Sequence, residues 1–244
     1  MQRKIFQLVL ITGFFFQAGI TVTAQPGEKR IQYPGVLKNS YFGLNIGYIN
    51  YPFSSMQLEP GFTVQSVNIP HIAPRLILYG HRFNKYLSAQ ISYMRPIDWV
   101  MYKNINGDQR NHSVWMNIAG LTLATQIPVH KKFFLFAEAG LGIITRKGFG
   151  INGIPVVKNA AYNTLLAGAA LQYHMNEKWD LQISATWSPA HKADKQPHTV
   201  FYSTGFNYHL KELSKEKVES NINSSYYFPK HFIQAGYTTN ATGY

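Results

Sequence analysis

The chain contains no cysteine. Disulfides, a thiol nucleophile, thiolate-held zinc and a cysteine-linked lipid anchor, the lipoprotein type included, are therefore excluded. Acidic residues are scarce, 11 in 244 positions, and charged residues of either sign make up only 14%. That is about half the share of an ordinary soluble domain. Long apolar runs are missing too. A polytopic helical membrane protein needs several stretches of roughly 20 apolar residues, so that class is excluded as well. What the chain has instead is 45% hydrophobic and 15% aromatic residues. That is too much for a disordered polymer, and the length suits one all-β domain with extra segments. Lys and Arg number 23, leaving a formal charge of +12. Nucleic acid is the first partner to weigh against such a charge.

The N-terminus argues against nucleic acid. Arg3 and Lys4 precede a short apolar stretch, Ile5 to Phe16, and Val22-Thr23-Ala24 places small residues before Gln25. This is the layout of a secretory signal, residues 1–24, cleaved before Gln25. Its removal lowers the charge to +10 and takes the mature chain out of the cytoplasm.

Residues 25–40, with Pro26, Gly27 and Pro34, read as an exposed lead. From 41 to 210 the dominant pattern is alternation with a period of two, which gives a strand one apolar and one small or polar face. Phe42, Leu44, Ile46 and Tyr48 alternate with Gly43, Asn45 and Gly47; Leu121, Leu123 and Ile127 alternate with Thr122, Ala124 and Gln126. The pattern predicts eight strands, at 41–49, 74–83, 86–97, 114–128, 133–146, 163–175, 179–189 and 199–210. It does not decide which face of the 74–83 strand points out. The joints at 84–85, 129–132 and 176–178 are tight and polar, while those at 50–73, 98–113, 147–162 and 190–198 are long. A sheet with two such unlike ends matches an outer-membrane barrel, whose periplasmic turns are short and external loops long.

The faces separate a membrane barrel from a soluble one that binds a small apolar ligand. One face carries Leu, Ile, Ala and aromatics; the other carries Gly, Ser, Thr, Asn and Gln. Small polar side chains make a poor soluble core but can fill a narrow lumen, so the apolar set is expected to face lipid. Aromatics gather at both ends. Tyr48, Tyr51, Phe53, Trp99, Tyr102, Trp115 and Trp187 lie by the long loops, and Phe83, Tyr86, Phe133, Tyr173, Trp179 and Tyr208 by the tight turns. They are expected to form two interfacial girdles, with Trp99, Trp115, Trp179 and Trp187 among the anchors. The predicted fold is all-β, an eight-stranded antiparallel up-and-down transmembrane β-barrel over 41–210.

The stretch Leu78-Tyr79-Gly80-His81-Arg82-Phe83-Asn84-Lys85-Tyr86-Leu87-Ser88 resembles the second hairpin of eight-stranded OmpA/OmpX-like outer-membrane proteins. So does Phe133 to Gly142, with its Phe-Ala-Glu-Ala-Gly-Leu-Gly core. The resemblance implies a barrel in the outer membrane of a Gram-negative bacterium and implies no reaction. Glu138 falls mid-strand on the inward face, where an unpaired carboxylate is costly. Arg75, Arg82 and His81 are the candidate partners, and the resemblance implies internal ion pairs of this kind. A lumen so filled leaves no open channel, so a diffusion porin is not expected.

No catalytic, cofactor-binding or metal residue is expected. The nine His show no HExxH pair or other ligand spacing; His191 and His198 share one loop, where solvation is the simpler reading. No nucleophile elbow, phosphate-cradling glycine loop or nucleotide fingerprint appears. The external loops carry Lys103, Arg110, Arg146, Lys147, Lys158, Lys192 and Lys195 against Glu59, Asp98, Asp108 and Asp194. Lipopolysaccharide phosphates lie at this level, so Arg146 and Lys147 are candidate lipid-phosphate contacts. The expected state is a monomer among outer-membrane lipids, without nucleic acid.

Residues 211–225 read as a charged linker and 226–244 as a strand-like tail. A ninth strand cannot join a closed eight-stranded barrel. The tail resembles the junction in bacterial acyloxyacyl hydrolases, where a barrel precedes a second one similar to the lipid A deacylases. That family works through a His-x-Ser pair, which this sequence lacks; His112-Ser113 is adjacent and does not match. The expected function is a non-enzymatic outer-membrane barrel with a structural, adhesion or lipid-contact role. The alternative is the N-terminal barrel of a lipid A-modifying hydrolase whose catalytic part lies beyond residue 244.

Overall fold

The computed structural model describes Leu37 and residues 39–210. The signal, most of the lead, the linker and the tail lie outside the described residues. Eight antiparallel strands form a ring. β1 (Ser40–Asn50) pairs with β3 (Ile72–Arg82), then β4 (Leu87–Met94), β6 (Asp108–His130), β7 (Phe133–Lys147), β10 (Ala160–His174), β11 (Trp179–Ser188) and β12 (Thr199–His209) follow in order. β12 returns to β1, from Tyr41↔His209 to Asn50↔Val200, and closes the sheet. Closure leaves no barrel edge to template aggregation.

The period of two sets which side chains point out. Leu44 and Ile46 on β1, Leu121 and Leu123 on β6, Leu141 and Ile143 on β7, and Leu181 and Ile183 on β11 face away from the lumen, while Asn45, Thr122, Gly142 and Gln182 alternate inward. On β3 the parity changes. A register shift between Ile77 and Tyr79 adds one residue. Ala73, Arg75 and Ile77 point inward before it, and Gly80 packs its open face on the Tyr41 ring after it. An inserted residue exchanges the faces of a strand, which is why alternation alone could not orient this one.

Two of the tight turns are built by an asparagine. Asn84 Oδ1 accepts the amides of Tyr86 and Leu87 at 2.8 and 2.9 Å, and Asn176 Oδ1 those of Lys178 and Trp179 at 2.9 and 3.0 Å. Such side chains satisfy the turn backbone locally.

The long joints hold more structure than the sequence reading expects. β2 (Val64–Asn68) and β5 (Val100–Ile105) continue the sheet along the first half of β6, and β8 (Phe149–Ile151) pairs with β9 (Ile154–Val157). β6 alone has 23 residues, roughly 75 Å of extended chain, whereas a membrane crossing needs about 9–11. The β5–β6 and β8–β9 turns are Asn106-Gly107 and Asn152-Gly153, all at positive φ, as the primed hairpin turns require. The segments 98–113 and 147–162 are thus hairpins rather than plain loops.

These hairpins enclose an apolar core over the long-loop end: Ile49, Tyr51, Phe53, Val100, Tyr102, Ile144 and Phe201 are all buried. This removes Tyr51, Phe53 and Tyr102 from the girdle expected there, while Tyr48 and Trp187 are exposed. Tyr51 and Phe53 share the inward parity of Ile49, and Tyr102 that of Val100. Their polar tips are satisfied inside, Tyr51 Oη donating to the Pro70 carbonyl at 2.6 Å and Tyr102 Oη to that of Ser54 at 3.1 Å. It also limits the expectation of a polar lumen to the part below this cap.

Candidate functional site

Below the cap the lumen is polar and organised around Glu138. The β7 alternation delivers this carboxylate inward at mid-strand, opposite Ala124 of β6 and Gly168 of β10. Arg75 grips it in a two-point clamp, Nη1 to Oε1 at 2.6 Å and Nη2 to Oε2 at 2.9 Å. Thr122 Oγ1 and Gln90 Nε2 also donate to Oε2, at 2.8 and 2.5 Å. The second proton on each Arg75 Nη reaches Thr186 Oγ1 and Ser92 Oγ respectively. Both partners are almost wholly buried. A buried charge pair holds only when its other hydrogen-bonding capacity is met, and β4, β6 and β11 supply those groups here. The space left beside the clamp is about 10 Å³, room for one water at most.

A second layer lies next to it. Gln182 Nε2 donates to Asn45 Oδ1 at 2.6 Å, and its Oε1 accepts from Gln172 and Asn207, each at 3.1 Å. Tyr41 Oη donates to Gln90 Oε1 at 3.0 Å and ties β1 to the Glu138 layer.

The sequence reading grouped Arg82 and His81 with Glu138; the structure separates them. Arg82 belongs to a third layer at the tight-turn end, where its Nη2 lies 3.4 Å from Asp180 Oδ2. His209 Nε2 approaches that same oxygen at 2.5 Å, and His174 Nδ1 contacts Asp180 Oδ1. This layer was missed, although Asp180 sits at inward parity between Trp179 and Leu181. The two imidazoles engage different carboxylate oxygens, and among the described residues no cluster of three such groups is arranged to hold a metal ion. His81 lies past the β3 shift and faces outward, stacked on Tyr79 and edge-on to Phe83.

At the opposite end the two candidate phosphate contacts also part. Arg146 has the inward parity of β7. Its guanidinium donates to Gln196 Oε1 at 3.0 Å and to the backbone oxygens of Asp194 and Lys158 at 2.8 and 3.2 Å. It is 2% exposed and cannot meet a lipid phosphate. Lys147, one residue on, is exposed and pairs in register with Trp115. Glu59 clasps two loops together by accepting from Lys158 at 2.8 Å and Lys195 at 3.0 Å. These two ammonium groups hold its carboxyl below the usual glutamate pKa. His191 is engaged with Asp194 at 2.8 Å and stacked on Tyr162; His198 is exposed. Of the tryptophans, Trp179 and Trp187 are exposed on the barrel wall at opposite ends, and Trp99 and Trp115 are half-buried at the long-loop end.

No protein-family model and no curated protein matches the chain. Among solved structures it is similar to Neisserial surface protein A, at 12% identity and a TM-score of 0.47, over 71% of this chain and 98% of that one. It is also similar to the N-terminal β-barrel domain of Pseudomonas aeruginosa OprF, at 12% identity and 0.45, over 71% and 98%. A third is Ail, the attachment invasion locus protein of Yersinia pestis, in complex with the heparin analogue sucrose octasulfate, at 15% identity and 0.44, over 70% and 99%. Identities this low transfer no residue role.

Proposed function

We propose that the protein is a non-enzymatic β-barrel of a bacterial outer membrane, with a structural, adhesion or lipid-contact role in the envelope. The observation that carries this reading is the pairing of an apolar wall with a polar filled lumen. Leu123 and Ile183 expose 58% and 66% of their surface, while charged Arg75, Glu138 and Asp180 are buried on the inside. In water that arrangement is inverted; in lipid it is the stable one, because a closed barrel satisfies every backbone group internally. The filled lumen argues against transport. Residues 1–24 serve in this reading as the cleaved export signal, and Lys147 beside Trp115 is the remaining candidate for lipopolysaccharide phosphate.

Expression in a Gram-negative host tests it. The protein is expected in the outer-membrane fraction, running on gels as a compact band that converts to a slower one on boiling. Recovery in the soluble periplasm, with a single band before and after heating, would sink the proposal.

A further inference from the structure

The end of the barrel opposite the cap has its own chemistry. Lys85 lies in the β3–β4 turn, Lys131 and Lys132 in the β6–β7 turn and Lys178 in the β10–β11 turn. Every tight turn thus carries lysine, and the acid among them is Glu177. Around the ring these turns join three separate strand pairs, so the cations are spread along the rim rather than gathered in one pocket.

Two of these lysines are held against the wall. Lys85 Nζ lies 4.8 Å from the ring centre of Tyr86, and Lys132 Nζ 5.8 Å from that of Tyr173. Tyr86 is half exposed, and Tyr173 packs on outward-facing Phe133 at the lower edge of the apolar belt. A cation over an aromatic face is attracted by the ring quadrupole. The ammonium groups therefore stand at the radius and height of the belt's edge, where a bilayer places its headgroups. The Asn84 and Asn176 turns stiffen two of the three supports. Two recesses of about 290 and 270 Å³ add depth. One is lined by Arg82 and Lys85, the other by Arg82 and Lys132 together with the carboxylates of Glu177 and Asp180.

We infer that this rim is a binding surface for anionic phospholipid headgroups in the leaflet where it stands. The inference rests on the membrane reading above and goes beyond it by assigning a lipid class to one end. A ring of cations matches an annulus of anionic lipids, whereas one soluble anion would touch a single turn. Each lysine close to such a surface contributes about a fivefold preference for charged over neutral headgroups, and the attraction fades within a Debye length.

The test uses the folded protein in vesicles of phosphatidylcholine, with and without phosphatidylglycerol, and reads the temperature at which the compact gel band is lost. Wild type is expected to melt several degrees higher with phosphatidylglycerol, and molar salt is expected to remove that rise. Replacing Lys85, Lys131, Lys132 and Lys178 by Gln is expected to abolish the rise while leaving the melting temperature in pure phosphatidylcholine unchanged. Replacing Lys103 and Lys192 at the other end is expected to leave the rise intact. If the fourfold variant does not fold, the pairs K131Q/K132Q and K85Q/K178Q carry the same comparison, each losing part of the rise. The inference is overturned if wild type shows no rise, if the rise survives salt, or if the rim variants keep it. Inorganic phosphate added to phosphatidylcholine vesicles is expected to change nothing; a rise there would mark a soluble-anion site and overturn it too. Failure to form a compact band in any vesicle would instead defeat the membrane reading.

Discussion

Arg75 and Glu138 show how much one residue pair can decide in a lumen this narrow. Substituting Ala for Arg75 leaves a carboxylate buried without its cation and is expected to cost about 3–5 kcal/mol. Replacing both at once, R75M with E138L, is expected to cost much less, since no charge is stranded. Urea unfolding in vesicles measures both, and equal losses would show that the clamp is not the source of the penalty. Glu138 was legible in the sequence because it is a carboxylate at mid-strand on the inward face, between Phe136 and Gly140. Arg75 was legible only as one of three candidates. Choosing among Arg75, Arg82 and His81 required the parity of β3, and the single residue inserted between Ile77 and Tyr79 carries no compositional mark. Arg146 misled for a related reason. Charge and loop proximity suggested lipid, yet its inward parity, shared with Glu138, takes it to Gln196.

At the level of elements, the eight barrel strands followed from the period of two, and their inward glycines show what the period leaves out. A Cβ on Gly47 would run into the carbonyl of Tyr202 and the backbone of Ser203. Gly47→Val is therefore expected to break the β1–β12 seam. Loss of the heat-modifiable band would report the failure, while a normal band would show that the seam can relax. Of the four strands hidden in the long joints, β5, β8 and β9 adjoin an Asn-Gly turn. Asn152-Gly153 stands between Ile151 and Ile154, the strongest short-range hairpin mark, and Asn106-Gly107 follows Ile105 but is succeeded by the polar run Asp108 to Asn111. Their strands are short, 3 to 6 residues for β2, β5, β8 and β9, so alternation had too few positions to stand out.

For the molecule as a whole, the question is what surrounds the wall. Ile183 sits mid-strand on β11 and faces outward. Ile183→Arg is expected to destabilise the folded protein by roughly 2–4 kcal/mol in a bilayer. The same change on a water-facing wall would cost within about 0.5 kcal/mol. Equilibrium unfolding in vesicles separates the two.

The cap over the long-loop end also fixes what the barrel presents to its surroundings. Glu59 ties two loops together through Lys158 and Lys195, Arg146 ties the same two to the lumen, and Tyr51, Phe53 and Tyr102 bury their rings beneath them. Loose loops would offer proteases a flexible backbone and antibodies a string of linear epitopes. A cap with its own apolar core offers neither. Its recognition surface exists only while the chain is folded, so antibodies raised against the denatured protein are expected to bind the folded protein poorly.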